Sequence, residues 1–142
     1  MLGLVRRLFL LFSIYLSGLA LCEEVTLQIT GISSAEGNIR ILVFSQASGF
    51  PEDRTQAAMK LSIPASKAKD GTLRVALKET PTEQGAVIVL HDLDNNGKAA
   101  KNLLGIPKEP IGASLWDGCG RLKYTKTSLS LKGTISIPLY QL

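Results

Sequence analysis

The chain has 142 residues, 45% of them apolar and 20% charged, with a formal net charge of +4. The length suits one domain with a short appendage, and the basic side chains are scattered among acids, which excludes the one-sided cationic footprint of a nucleic-acid binder. Cys22 and Cys119 are the only thiols, so the domain must be held by a hydrophobic core and not by a disulfide framework.

Residues 1–22 have the three-part layout of a secretory signal peptide. Arg6 and Arg7 come first without an acid, Leu8–Leu16 is an apolar core, and Ser17–Cys22 is a tail of mostly small residues. A spanning helix takes about 20 apolar residues, and this core is shorter. Cleavage after Ala20 or after Cys22 satisfies the small-x-small rule. Cys22 also resembles the lipidated first residue of a bacterial lipoprotein, but Leu21 stands where a small residue is expected, so cleavage without an anchor is the expectation. Loss of Arg6 and Arg7 leaves 14 basic against 12 acidic side chains, a net +2. The expected location is periplasmic or extracellular. The mature chain, 23–142, is read as one domain without a transmembrane segment. Its partner is unknown, with an envelope or extracellular molecule as the class left open.

Strand signals follow at short intervals. Val25–Thr30 alternates apolar and polar residues, the period of a half-buried strand. Gly31–Gly37 is a turn cluster. In Asn38–Ser45, Ile39, Ile41 and Val43 point one way and Leu42 and Phe44 the other, which predicts a central strand covered on both faces. Phe50, before Pro51, reads as a loop residue tucked onto the core. Thr55–Lys60 is Ala-rich and suits a helical turn, while Met59, Leu61 and Ile63 favour a strand running into Pro64. Thr72–Leu77 and Gly85–His91 are further strands. Thr127–Leu131 and Thr134–Leu139 flank Lys132-Gly133, a two-residue link that predicts a hairpin, and Pro138 places the last strand at an edge or at its end. About seven short strands and no long helix predict an all-β fold: an antiparallel β-sandwich, immunoglobulin-like in layout. Ile39, Ile41, Val43, Val87, Val89, Leu129, Ile135 and Ile137 are the expected core.

Turn chemistry takes over at His91 and continues to Ser114. Asp92, Asp94 and Asn96, followed by Gly97, copy positions 1, 3, 5 and 6 of a calcium loop, and the carbonyl of Lys98 takes position 7. Alternate oxygens converge on one cation when a glycine lets the backbone turn. The copy then stops: Ala100 and Leu103 occupy positions 9 and 12, where a bidentate Glu is needed. Glu109 or loop carbonyls are left to complete the shell. Calcium is therefore the one cofactor suggested, bound weakly, against the plainer reading of an Asx-rich turn bonding its own backbone. His91 is the only histidine, so a zinc site with several His ligands is excluded and any His-based triad must use it. His91 and Asp92 are adjacent and face opposite sides of a strand. A strand-end His bonding loop backbone is the simpler account. Trp116 reads as a lid on the core and Cys119 as an inert small residue.

The motif HDxDxNGK, followed by LGIPKE and G-x-S, resembles secreted bacterial proteins grouped as domain of unknown function 2141. The resemblance extends to Gly37-Asn-Ile-Arg-Ile-Leu-Val-Phe, Gly49-Phe-Pro and Gly85-Ala-Val-Ile-Val-Leu-His-Asp. Matching loop positions include His91, Asp92, Asp94, Asn96, Lys98, Asn102, Glu109 and Ser114, which the resemblance marks as binding candidates. It implies an extracytoplasmic β-sandwich, similar to transthyretin-like and carboxypeptidase-regulatory modules, with no established activity. The chain departs from the family at Ala100, where an acid is usual, at Ile111, where an aromatic is common, and in the tail carrying Trp116 and Cys119.

The leading expectation is a secreted non-catalytic module whose 91–114 loop is a binding or structural site. The alternatives are a hydrolase-like enzyme using His91, Asp92 and Glu109, or a weakly calcium-stabilised structural domain. If the N-terminal reading is right, intact-mass measurement of exported protein will give a chain starting at Leu21 or Glu23. Retention of Met1, or a diacylglycerol adduct on Cys22, would contradict it.

Overall fold

The computed structural model describes residues 24–98 and 108–142. The expected signal peptide and the loop positions Ala100, Asn102, Leu103, Gly105, Ile106 and Pro107 lie outside the described residues. Eight strands are present among those described: β1 (Val25–Thr30), β2 (Asn38–Phe44), β3 (Met59–Pro64), β4 (Leu73–Leu77), β5 (Gln84–Asp92), β6 (Ile111–Ala113), β7 (Leu129–Ser130) and β8 (Thr134–Pro138). A single helical turn, α1 (Tyr124–Thr127), precedes β7. One sheet has the order β4-β1-β8; the other has the order β3-β2-β5-β6, with β7 added to the start of β5. The fold is all-β and sandwich-like.

The two sheets follow from the alternation of side chains. On β1, Val25, Leu27 and Ile29 are buried and the residues between them are half-exposed. On β2 and β5 both faces are covered. Ile39, Ile41 and Val43 stand opposite His91, Val89 and Val87, and this row packs with Leu27, Ile29, Ile135 and Ile137 of the other sheet in the main core. Burying each such side chain fully contributes about 1.5–3 kcal/mol. The alternate residues Leu42, Phe44 and Ile88 form a second apolar cluster on the outer face, joined by Phe50, Trp116, Leu122 and Tyr124. Phe50 sets its ring edge-on to Phe44 at 5.3 Å and to Tyr124 at 5.8 Å, a favoured aromatic geometry. Of the expected core residues, only Leu129 is no more than half-buried; its neighbour Leu131 is buried instead.

Three details differ from the expected antiparallel sandwich. β1 and β8 pair in parallel. The Lys132-Gly133 link is not a hairpin: β7 bonds to β5 and β8 bonds to β1, in different sheets. Leu131 N–H donates to Glu83 O at 2.8 Å, and Gly133 O accepts from Thr26 N at 2.9 Å. Each arm of the link is therefore already engaged by a different sheet, and the link carries the chain across the core. The strand expected over Thr127–Leu131 is shorter, because the Thr127 hydroxyl donates to Lys123 O at 2.9 Å and helps close the helical turn α1. Two other expectations hold: Met59–Pro64 is the strand β3, and β8 lies at a sheet edge with Pro138 its last residue. The helical turn expected over Thr55–Lys60 is instead a 3-10 turn at Arg54–Gln56, capped by Asp53, because Met59 and Lys60 already pair with Val43 and Leu42 of β2.

The sheets are also stitched at one end. Ile111 and Tyr140 exchange backbone bonds of 3.0 and 2.8 Å. A Cβ at Gly112 would stand 2.4 Å from Pro138 O, so only glycine permits this approach. Ile41→Ala should lower stability by about 2–4 kcal/mol, and Gly112→Ala by about 1–3 kcal/mol, in urea unfolding. An unchanged midpoint for Ile41→Ala would contradict the placement of the core.

Candidate functional site

The end of β5 divides its chemistry between the two faces of the sheet. His91 points inward, opposite Ile39, and is fully buried. Its Nε2 lies 2.8 Å from Glu36 O; a carbonyl only accepts, so Nε2 carries the proton. Nδ1 is buried without a partner. Asp92, one residue on, points outward and is also fully buried. His91 and Asp92 are thus not assembled as a base and its orienting acid.

Asp92 is held from two sides. Arg40 on β2, diagonal to it across the strand pair, donates Nε–H to Asp92 Oδ2. The backbone N–H of Gly97 donates to the same oxygen at 2.8 Å. Oδ1 is buried and has no hydrogen-bond partner. Burial by itself pushes the Asp92 carboxyl up. The bond from Arg40, the Gly97 amide, the contact with Asp94 and the Arg40 charge together outweigh it, and hold the group below the ordinary carboxylate value.

The turn after β5 bonds to itself. Asp94 Oδ1 accepts from Asn96 N–H at 3.0 Å, and Asn96 Nδ2 donates to Asp94 Oδ2 at 2.8 Å. Asn96 Oδ1 accepts from Lys98 N–H at 2.7 Å. Asn38 Nδ2 donates to Asn95 Oδ1, tying the turn to β2. Asn95 and Gly97 have φ of 57° and 76°, the left-handed region that Asn and Gly tolerate. Asn96 therefore spends its oxygen on the turn. Glu109 instead comes in from the far end of the loop: it is 5% exposed, and its Oε1 accepts from Leu93 N–H at 2.9 Å. One carboxylate oxygen each from Asp92, Asp94 and Glu109 lie within 4.8 Å of one another.

Of the residues expected in a site, the fold brings Asp92, Asp94 and Glu109 together and keeps Asn96 and Lys98 on the adjoining turn. His91 is on the opposite face. Ser114 is buried, accepting from Val87 N–H at 3.0 Å and donating to Thr127 O at 2.5 Å, so it fastens β5 to the α1 turn. Asn102 lies outside the described residues. Sequence reasoning missed Arg40. The available signal was a lone cation at an outward position of β2, where the following outward residues, Leu42 and Phe44, are apolar.

Beside this turn, a groove of about 1340 Å³ runs over the outer face of the β2–β5 pair. Leu42, Ile88 and Leu90 form its floor and Phe50, Trp116 and Tyr124 its walls. Arg54, Lys98, Arg121 and Lys123 stand round it against Glu52 and Asp53, and Asp53 is occupied by Thr55, whose N–H and hydroxyl both donate to it. The indole N–H of Trp116 donates to Cys119 O at 2.9 Å, and its ring meets Tyr140 edge-on at 5.7 Å. Cys119 is exposed.

A family model described as an uncharacterized protein conserved in bacteria (DUF2141) matches residues 27–137. The chain belongs to this family. The match runs from β1 to β8 and includes Arg40, Asp92, Asp94 and Glu109. No curated protein and no solved structure matches the chain. Among the described residues, no helix is long and apolar enough to cross a membrane.

Because the folded pKa of Asp92 is depressed, the stability it contributes is present above the unfolded value of about 3.9 and is lost as pH falls through the folded value. Asp92→Asn should destabilise by about 2–3 kcal/mol at pH 7, the lower range for breaking a buried pair because Arg40 keeps some contact with water. Measured in EDTA, that difference should shrink as the pH is lowered below about 4. Gly97→Ala should cost about 1–2 kcal/mol through its left-handed backbone. A pH-independent difference for Asp92→Asn would show that the carboxylate charge is not what holds the turn.

Proposed function

We propose that this member of the family is an exported, non-catalytic binding module. In this reading residues 1–22 are a removed signal peptide and 23–142 the working domain. The working surface is the groove on the outer sheet face, with the 91–114 loop rooted at one end. It takes a small anionic ligand with an apolar or aromatic body. One observation carries the reading: an apolar trough with three aromatic walls has more cations than acids on its rim, and one of its two acids is spent on a local cap. Ligand sites are concave, mostly apolar and oriented by a few polar groups, and an exposed apolar concavity of this kind commonly marks an interaction site. Cations round an aromatic-walled trough favour a negative head group, and the floor favours an apolar body.

The non-catalytic part of the reading is supported by how the candidate groups are used. His91 is committed to Glu36 O on the other face, Asp92 to Arg40 and Gly97, and Ser114 to Val87 and Thr127. The use of these three side chains as structural ties supports a role other than general acid–base or nucleophilic chemistry.

Trp116 is the sole tryptophan, so its emission reports on the groove. Titration of the mature chain with laurate should change that emission saturably, and dodecanol, which lacks the charge, should bind more weakly. Arg121→Glu with Lys123→Glu should weaken laurate binding by about five- to tenfold, the scale of two solvent-exposed charge contacts. No saturable change with laurate, or equal binding of laurate and dodecanol by wild type and variant, would overturn the proposal.

A further inference from the structure

We infer that Asp92, Asp94 and Glu109 hold one calcium ion at the root of the 91–114 loop. The inference is independent of the groove and of what occupies it. Three carboxylates each bring an oxygen within 4.8 Å of the others. That is the span of oxygens on opposite sides of one ion with bonds of about 2.3–2.6 Å. Acids gather on surfaces without any metal, but two of these three are buried, Asp92 at 0% and Glu109 at 5% exposure.

The second observation is the orphaned oxygen. Asp92 Oδ2 is satisfied by Arg40 and Gly97. Oδ1 of the same group is sealed from water with no donor. A buried, unpaired carboxylate oxygen is costly. The carboxylates beside it accept hydrogen bonds when ionised and do not donate them. The Arg40 guanidinium acts on the other oxygen. A cation on the Oδ1 side supplies the partner that this oxygen lacks.

The donor set selects the ion. All three ligands are hard oxygens, which excludes a preference for soft, thiolate-seeking metals. They come from a strand end, a turn and the far end of a loop, an irregular set. Calcium accepts irregular shells of 6–8 oxygens, whereas magnesium demands a near-ideal octahedron at about 2.0–2.1 Å. Water fills the positions that the protein leaves. Few charged ligands and a neighbouring guanidinium put the dissociation constant at about 10⁻⁴–10⁻³ M, the weak end of calcium sites. The set differs from the linear loop pattern in one member: Glu109, from the far end of the loop, stands with Asp92 and Asp94, while Asn96 Oδ1 accepts from Lys98 N–H.

The test is calorimetric titration of the mature chain, stripped with EDTA and dialysed, with calcium chloride up to 10 mM. One calcium per chain is expected, with magnesium at least tenfold weaker. Asp94→Asn and Glu109→Gln keep the shape of the side chain and should each weaken binding at least tenfold, with an unchanged far-ultraviolet circular-dichroism spectrum. Asn96→Ala should leave the affinity within about threefold. Absence of saturable calcium uptake by the folded wild-type chain would overturn the inference, and would point to a proton shared among the three acids. Full affinity in Asp94→Asn and Glu109→Gln, or loss in Asn96→Ala equal to theirs, would overturn the ligand assignment. Magnesium binding as tightly as calcium would overturn the choice of ion.

Discussion

Asp92 is a carboxylate removed from water at the point where the central strand of the larger sheet ends. A bare charge there would be costly, so the surroundings are arranged to meet it. Arg40 reaches it from β2, and the Gly97 amide turns back to it across the loop. To make that second bond the chain passes through left-handed backbone at Asn95 and Gly97. Gly37, ahead of β2, lies against the backbone of the same residue: a Cβ there would stand 2.0 Å from the Asp92 carbonyl oxygen. The turn, the β2 start and the loop exit at Glu109 all converge on the chain at Asp92 and Leu93.

The placement of Asp92 also decides what β5 offers to each face. With a period of two, the residue facing the core at this level is His91 and the one facing outward is Asp92. Inward, the strand contributes Val87, Val89 and His91 to the space between the sheets. Outward, it contributes Ile88 and Leu90 to the groove and Asp92 to its anchored end. A slip of one residue would exchange these sets. The nine-residue length of β5 and its pairing with β2 over seven positions oppose such a slip.

The groove arises from the second apolar face. An antiparallel sheet often leaves one face to solvent, but here Phe44, Leu42 and Ile88 are buried beneath Phe50, Trp116, Leu122 and Tyr124. Those covering residues come from segments far apart in the chain: the loop before β3 and the stretch from Trp116 into α1. Arg54, Arg121 and Lys123 of the rim arrive with them, and Lys98 comes from the turn after β5. Apolar walls and basic rim are thus two consequences of the same coverage.

Alternation made β1 and β8 legible, and short apolar runs bounded by turn residues made β2 and β5 so. The two apolar faces of Ile39–Phe44 revealed a central strand, and the cluster of Asp, Asn and Gly after His91 revealed a self-bonding turn. The opposite orientation of His91 and Asp92 followed from adjacency. Pairing between distant strands was not legible. Lys132-Gly133 has the local chemistry of a hairpin, yet its two arms belong to different sheets, since β1 and β5 offer partners that no local signal records. The same holds for the loop. Asp92, Asp94 and Asn96 are spaced as a linear calcium loop, but spacing along the chain does not say which oxygens are already taken by backbone donors. Only the tertiary structure brings Glu109 to Leu93 and Arg40 to the carboxylate of Asp92, because those partners, 16 and 52 residues from the positions they bond, meet only when the strands are paired.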